Sequence, residues 1–185
     1  MPDDNDDANN DDNSLARRVA QATEEANAGH FAQAATLLEE ALAIEPNHQH
    51  ALDLLGFVRF FQGQFAEAEQ QCLKSLAVNP CNAYAIKGLG LCAARQGRLE
   101  EGIESLERAI ALRPSWADSY WDLATVLSEA GKLEQALDVL AQGLAMASPT
   151  KESTLTRFRQ FRVELQHRLR GREQVATTAL KEPAQ

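Results

Sequence analysis

Long apolar runs are missing from this sequence. No stretch approaches the roughly 20 uncharged apolar residues that a bilayer-spanning helix needs, so insertion into a membrane is not expected. Aromatics are scarce at 6%, glycine is modest, and Ala and Leu recur through the middle, which favours helices over strands and predicts an all-α chain. Cysteine is nearly absent: Cys72, Cys81 and Cys92 are an odd number without paired spacing, which argues against a disulfide framework and suits free thiols in a reducing compartment. Met1-Pro2-Asp3-Asp4 opens with acid where a secretory leader needs base followed by apolar residues, so a cytoplasmic location is expected.

The hallmarks of catalysis are also lacking. There is no glycine-rich phosphate loop, no serine elbow and no pair of carboxylates set for acid and base work; Gly88-Leu89-Gly90 lies inside a predicted helix and reads as close packing. His30, His48, His50 and His167 include no pair four apart on one helix, so no metal site is expected. The chain is therefore expected to be no enzyme and to need no cofactor.

Charge is present but unevenly spread over a net −9. Residues 1–12 hold six Asp and no base, whereas residues 151–185 hold 8 bases and 4 acids, a net +4. The acidic, Asn-rich segment 1–13 has too little apolar area to offset the entropy of ordering and is predicted disordered, with Asn13 or Ser14 capping the first helix. The arginines near the C-terminus (Arg157, Arg159, Arg162, Arg168, Arg170, Arg172) invite a nucleic-acid reading, but they decorate an amphipathic pattern on an acidic body, so nucleic acid is not expected as a partner.

What the sequence has is a period. A shift of 34 residues superposes Gly29, Gly63, Gly97 and Gly131 without an insertion, and with them Pro46, Pro80, Pro114 and Ser148, the last with Pro149 one residue late. In the second repeat Ala51, Leu52, Leu55, Gly56 and Val58 make an apolar helical face that Gly63 ends by permitting the turn. Phe65, Ala68, Cys72, Leu73 and Leu76 make a second stripe, and Pro80 cannot lie in its last turn. Each repeat reads as helix, turn, helix, over about 15–48, 49–82, 83–116 and 117–149, within a repeat region 14–149. Small residues recur where backbones must approach: Ala22, Gly56, Gly90 and Ala124 on the first helices, Ala34, Ala68, Gly102 and Ala136 on the second. A further amphipathic run, Leu155, Phe158, Phe161, Leu165 and Leu169, predicts a capping helix over 150–171 with Gly171 as its stop and a frayed tail over 172–185.

These residues resemble the tetratricopeptide repeat. Leu52-x-x-Leu55-Gly56, Ile86-x-x-Leu89-Gly90 and Tyr120-x-x-Leu123-Ala124 match its first-helix signature, and Ala34-x-x-x-Leu38, Ala68-x-x-x-Cys72, Gly102-x-x-x-Leu106 and Ala136-x-x-x-Leu140 its second. The usual tyrosine three residues after the small one is replaced by Glu25, Arg59, Ala93 and Leu127, and Arg18 and Gln21 make the first repeat atypical. The resemblance spans roughly residues 15 to 149. It implies a right-handed superhelical solenoid of four hairpins plus a C-terminal solvating helix, with the first helices lining a concave groove that takes a peptide or helix of another protein.

The groove-facing positions that the resemblance implies are Ala16, Val19, Ala20 and Thr23 in the first repeat, then His50, Asp53, Leu54 and Phe57, then Tyr84, Lys87, Gly88 and Leu91, then Asp118, Trp121, Asp122 and Thr125. The partner-binding candidates are His50, Asp53, Phe57, Tyr84, Lys87, Leu91, Asp118, Trp121, Asp122 and Thr125, a lining that suits apolar anchors and a Lys or Arg near Asp118 and Asp122. A subtype of the family clamps acidic chaperone tails with two Lys, two Asn and one Arg. The matching positions here are Val19, Thr23, Leu54, Tyr84 and Gly88, or one repeat on, Asp53, Phe57, Gly88, Asp118 and Asp122, and none is a clamp residue. The expected role is a protein-binding adaptor or scaffold. A self-associating scaffold, or a client-holding accessory subunit of an enzyme or secretion assembly, are the alternatives.

Overall fold

The computed structural model describes residues 4–146 and 152–179, and every element among them is an α-helix. In order these are α1 (Asp4–Asn27), α2 (Phe31–Ile44), α3 (Gln49–Phe61), α4 (Phe65–Val78), α5 (Ala83–Arg95), α6 (Leu99–Leu112), α7 (Ala117–Glu129), α8 (Leu133–Met146) and α9 (Glu152–Ala179). No helix among the described residues is long and apolar enough to cross a membrane. The chain divides into two compact units, Met1–Gln96 and Gly97–Gln185, with the boundary inside the third repeat.

The periodic glycines do what their spacing predicts. Gly29, Gly63, Gly97 and Gly131 all have φ between 77° and 82°, the left-handed region in which a side chain is strained. At Gly63 the turn is closed by two amide bonds, Gly63 N to the Phe60 carbonyl at 3.0 Å and Gln64 N to the Arg59 carbonyl at 2.9 Å, the pattern that satisfies the orphan carbonyls of a helix end. Second helices stop two residues ahead of each proline, at Ile44, Val78 and Leu112, because the residue before proline is pushed into extended backbone.

In the first unit α1 packs on α2, α2 on α3, α3 on α4 and α4 on α5. The contacts run through Ala22, Ala34, Leu38, Ala51, Leu55, Val58 and Ala68, all buried. A Cβ added to Gly56 would lie 3.4 Å from the Cys72 sulfur and one added to Gly88 only 2.6 Å from it, so these two glycines let the helix backbones close on the thiol. In the second unit α6 packs on α7, α7 on α8 and α8 on α9. Gly143 stands where the other repeats carry Ala41, Ser75 and Ala109, and the vacated volume receives the Phe158 ring: a Cβ there would lie 2.5 Å from Phe158 Cε1 and 2.7 Å from Tyr120 Cβ.

The two ends depart from expectation. Helix α1 begins at Asp4, ahead of the expected boundary, so neither Asn13 nor Ser14 stands at its N-terminus. No Gly or Pro interrupts 4–27, so nothing in that stretch breaks a helix. Helix α9 runs on through Gly171 to Ala179, well into the segment expected to fray. One helical glycine costs only about 1 kcal/mol against alanine, and Arg172, just beyond it, is tied to the Gly131 carbonyl at 2.8 Å. Residues 1–3, the expected end of the fourth repeat at 147–149, the expected start of the capping helix at 150–151 and the last part of the expected tail, 180–185, lie outside the described residues.

Candidate partner-binding faces

On the first unit the face formed by α3 and α5 divides into two chemically different parts. Toward the start of α3 it is polar and internally bonded. The Asp53 carboxylate accepts from the Ser75 hydroxyl at 2.6 Å, and both its oxygens accept from Asn82 Nδ2 at 2.9 Å. Asn82 in turn caps α5 by accepting from the Tyr84 amide at 3.1 Å. Ser75 is fully buried, so Asp53 completes a structural network joining α3, α4 and the α5 cap. Both of its oxygens are thus engaged within the fold. Tyr84 is half-buried, and burial together with the Asp53 charge pushes its phenol upward, so it stays protonated as a hydroxyl at neutral pH. His50 is exposed, while Lys87 and Leu91 are half-buried.

Toward the end of α3 the face is aromatic. Phe57 and Phe61 are 4.6 Å apart between centroids, Phe31 stacks on Phe61 at 5.4 Å and 19°, and Phe60 meets Phe61 at 5.6 Å and Phe65 at 5.4 Å. Arg95 lies with its guanidinium carbon 5.7 Å from the Phe60 centroid. Phe61 remains 54% exposed, the one aromatic among the exposed large apolar side chains of the described residues. Sequence reasoning singled out Phe57 and passed over Phe60 and Phe61, although their offsets of three and four residues place all three on one helix face.

On the second unit the expected face is covered by the chain itself. The Trp121 ring packs edge-on against Phe158 at 5.5 Å and tilted against Phe161 at 4.9 Å, with the Arg157 guanidinium 4.4 Å from its centroid. Arg157 also pairs with Asp118 at 2.9 Å. The aromatic anchors and the basic residue that Trp121 and Asp118 were expected to draw from a partner are therefore supplied by α9. Asp122 and Thr125 are half-buried, and the Thr125 hydroxyl donates to the Trp121 carbonyl at 2.9 Å. Two further arginines of α9 finish the end of α7 and its turn: Arg168 donates to the Ser128 hydroxyl at 2.5 Å and to the Ser128 carbonyl at 3.3 Å, and Arg172 to the Gly131 carbonyl. Half of the terminal arginines are thus structural.

Cys72 and Cys92 are buried and Cys81 is exposed. Burial, then the neighbouring Cys92 and Asp53, pushes the Cys72 thiol up to about 12, which leaves it unreactive at neutral pH. Among the described residues no group of three or more His, Cys, Asp or Glu is placed to hold a metal ion.

Comparison with known proteins points the same way. Two tetratricopeptide repeat family patterns match residues 26–89 and 81–148. Curated proteins supply no match. Among solved structures, the chain is similar to TTC0263, a thermophilic protein of Thermus thermophilus, at 21% identity over 82% of this chain and 85% of that one, with a TM-score of 0.70. It is similar to MamA of Desulfovibrio magneticus RS-1 at 23% identity over 71% and 75%, with a TM-score of 0.65. It also resembles the first repeat domain of Spaghetti (RPAP3) bound to the HSP90 peptide SRMEEVD, at 18% identity over 64% and 94%, with a TM-score of 0.60. At these identities the likeness is one of fold.

Proposed function

Because the chain belongs to the tetratricopeptide repeat family, whose members generally mediate protein–protein interaction, we propose that it is a non-catalytic adaptor that takes a segment of another protein on the first-helix face of its N-terminal unit. The observation that carries this reading is the open end of α3, where Phe57, Phe60 and Phe61 form an aromatic surface with Phe61 exposed to solvent. Full burial of a large apolar side chain is worth about 1.5–3 kcal/mol, and Phe61, 54% exposed, leaves about half of that for a partner to recover. His50, Phe57 and Leu91 belong to this proposed face. Asp53 does not, being consumed by the Ser75–Asn82 network, and Asp118 and Trp121 do not, being engaged by α9.

The Spaghetti (RPAP3) domain bound to the HSP90 peptide SRMEEVD supports the general mode, since a similar fold accepts a short peptide of another protein. The clamp side chains for a chaperone tail are absent at the matching positions here, so the proposed partner is of a different kind. The test is to capture partners with the full chain, identify them by mass spectrometry, and map the complex by hydrogen exchange. Slowed exchange on α3 and α5 is the expected result; slowing confined to α2 and α4 would refute the first-helix reading.

A further inference from the structure

Resting on the partner-binding reading, we propose that the docking point is the phenylalanine cluster around Phe61, and that its occupant is a segment of a different protein bearing one large apolar side chain beside a carboxylate.

The first argument is that the repeat does not need these rings. One period away, Phe57 corresponds to Thr23, Leu91 and Thr125, Phe60 to Ala26, Ala94 and Ser128, and Phe61 to Asn27, Arg95 and Glu129. The other repeats build the same helix and the same turn with small or polar residues at the last two positions. The aromatic character is therefore an addition to the scaffold, and it comes already organised: Phe31 and Phe57 hold Phe61 from within the fold, leaving its outer side open. A ring fixed in place loses little entropy on binding.

The second argument is charge. Arg59, nearby on α3, is already paired with Glu39 and bonded to Gln62 and Gln64. Arg95 is exposed and rests on the Phe60 ring, and it makes no ion pair among the described residues. A guanidinium drawn over a ring face, here 5.7 Å from its centroid, can still offer two N–H groups to a carboxylate. An apolar shelf with a cation at its rim selects an apolar side chain with an acid near it, and it disfavours basic segments.

The third argument concerns the chain itself as occupant. Its acidic segment 1–12 has the carboxylates but offers only Met1, Pro2 and Ala8 as apolar groups, none of aromatic size. The aromatics of α9 face inward, with Phe158 fully buried and Phe161 on Trp121. The exposed apolar group of α9 that stands beside an acid is Val163, next to Glu164, a smaller side chain than the ring it would have to cover, which favours a different protein with a larger anchor over a second copy.

The test uses a displayed library of random 12-residue peptides selected on the full chain. The expected result is enrichment of peptides with Phe, Leu or Trp within three residues of Asp or Glu. Binding of a selected peptide should weaken at least tenfold in Phe61→Ser and in Arg95→Glu, both exposed positions, and a peptide whose acid is changed to Lys should recover binding to Arg95→Glu. Peptides that bind with full affinity to both variants while slowing exchange elsewhere on the first helices would overturn this docking point and leave the adaptor reading standing. Failure to enrich any peptide would overturn both. Self-association that disappears in Phe61→Ser, seen by sedimentation at several concentrations, would assign the shelf to a second copy and overturn the proposed occupant.

Discussion

Truncating Phe158 tests whether α9 is held where the structure puts it. The ring is fully buried, it fills the volume opened by Gly143, and it lies edge-on to Trp121. Removing a buried phenylalanine costs about 3–5 kcal/mol. The loss falls on the docking of α9, whose other fully buried side chain among the described residues is Leu165. At about 1.4 kcal/mol per tenfold, the undocked population of Phe158→Ala rises by roughly two to three and a half orders of magnitude. Trypsin reads that population directly, because cleavage of a transiently opened segment follows its equilibrium when reclosing is fast. Cleavage after Arg159 and Arg162 should accelerate by about that factor, while sites in α3 to α5 keep their rate, which separates local release from global unfolding. In a Trp116→Phe background the emission of Trp121 should shift to the red as Phe158 and Phe161 leave it. Wild-type cleavage and an unshifted Trp121 spectrum would refute the account of α9 given above.

Three other outcomes follow from the first unit. Asp53→Ala leaves the buried Ser75 hydroxyl without its acceptor and the Asn82 amide with only the Ser75 oxygen at 2.9 Å, and should cost about 1–3 kcal/mol in urea unfolding; a shift below the error of the midpoint would show that the network is idle. Gly88→Ala places a methyl 2.6 Å from the Cys72 sulfur and should destabilise by about 1–3 kcal/mol through overpacking, while adding Cys72→Ala should restore most of the loss, and purely additive effects would contradict the contact. Above pH 9 stability should fall: the unfolded Cys72 thiol titrates near 9.0 and the folded one near 12, so between these values the unfolded chain has released a proton that the folded chain retains. The slope is at most about 1.4 kcal/mol per pH unit for this group. Cys72→Ala should flatten it in urea midpoints at pH 8, 9.5 and 10.5, and an unchanged slope would remove Cys72 as its cause.

Much of the fold could be read from the period because each repeat carries its own local punctuation. Gly63 must take a left-handed conformation, Pro80 must follow a helix end, and Ala68 and Gly56 must lie where backbones approach; these are constraints of a few neighbouring residues, and they survive any tertiary context. The ends were less legible. The Asp-rich opening has the composition of a disordered segment, yet no Gly or Pro breaks it between residues 4 and 27 and α1 runs back to Asp4. Gly171 looked like a stop, but it takes no positive φ and α9 passes through it.

The sequence by itself determined which face each first helix turns to its neighbours, because a 34-residue period and a 3.6-residue turn fix that direction. What only the tertiary structure decided is how far the following element covers that face. Asp53 and Trp121 occupy the same place in their repeats and both look like ligand contacts on paper. The first is drawn into a carboxylate network by Ser75 and Asn82, the second is roofed by Phe158, Phe161 and Arg157, and the open ring is instead Phe61, two turns along from Asp53. Periodicity counts positions along one chain, whereas exposure depends on the size and reach of side chains that arrive from elsewhere.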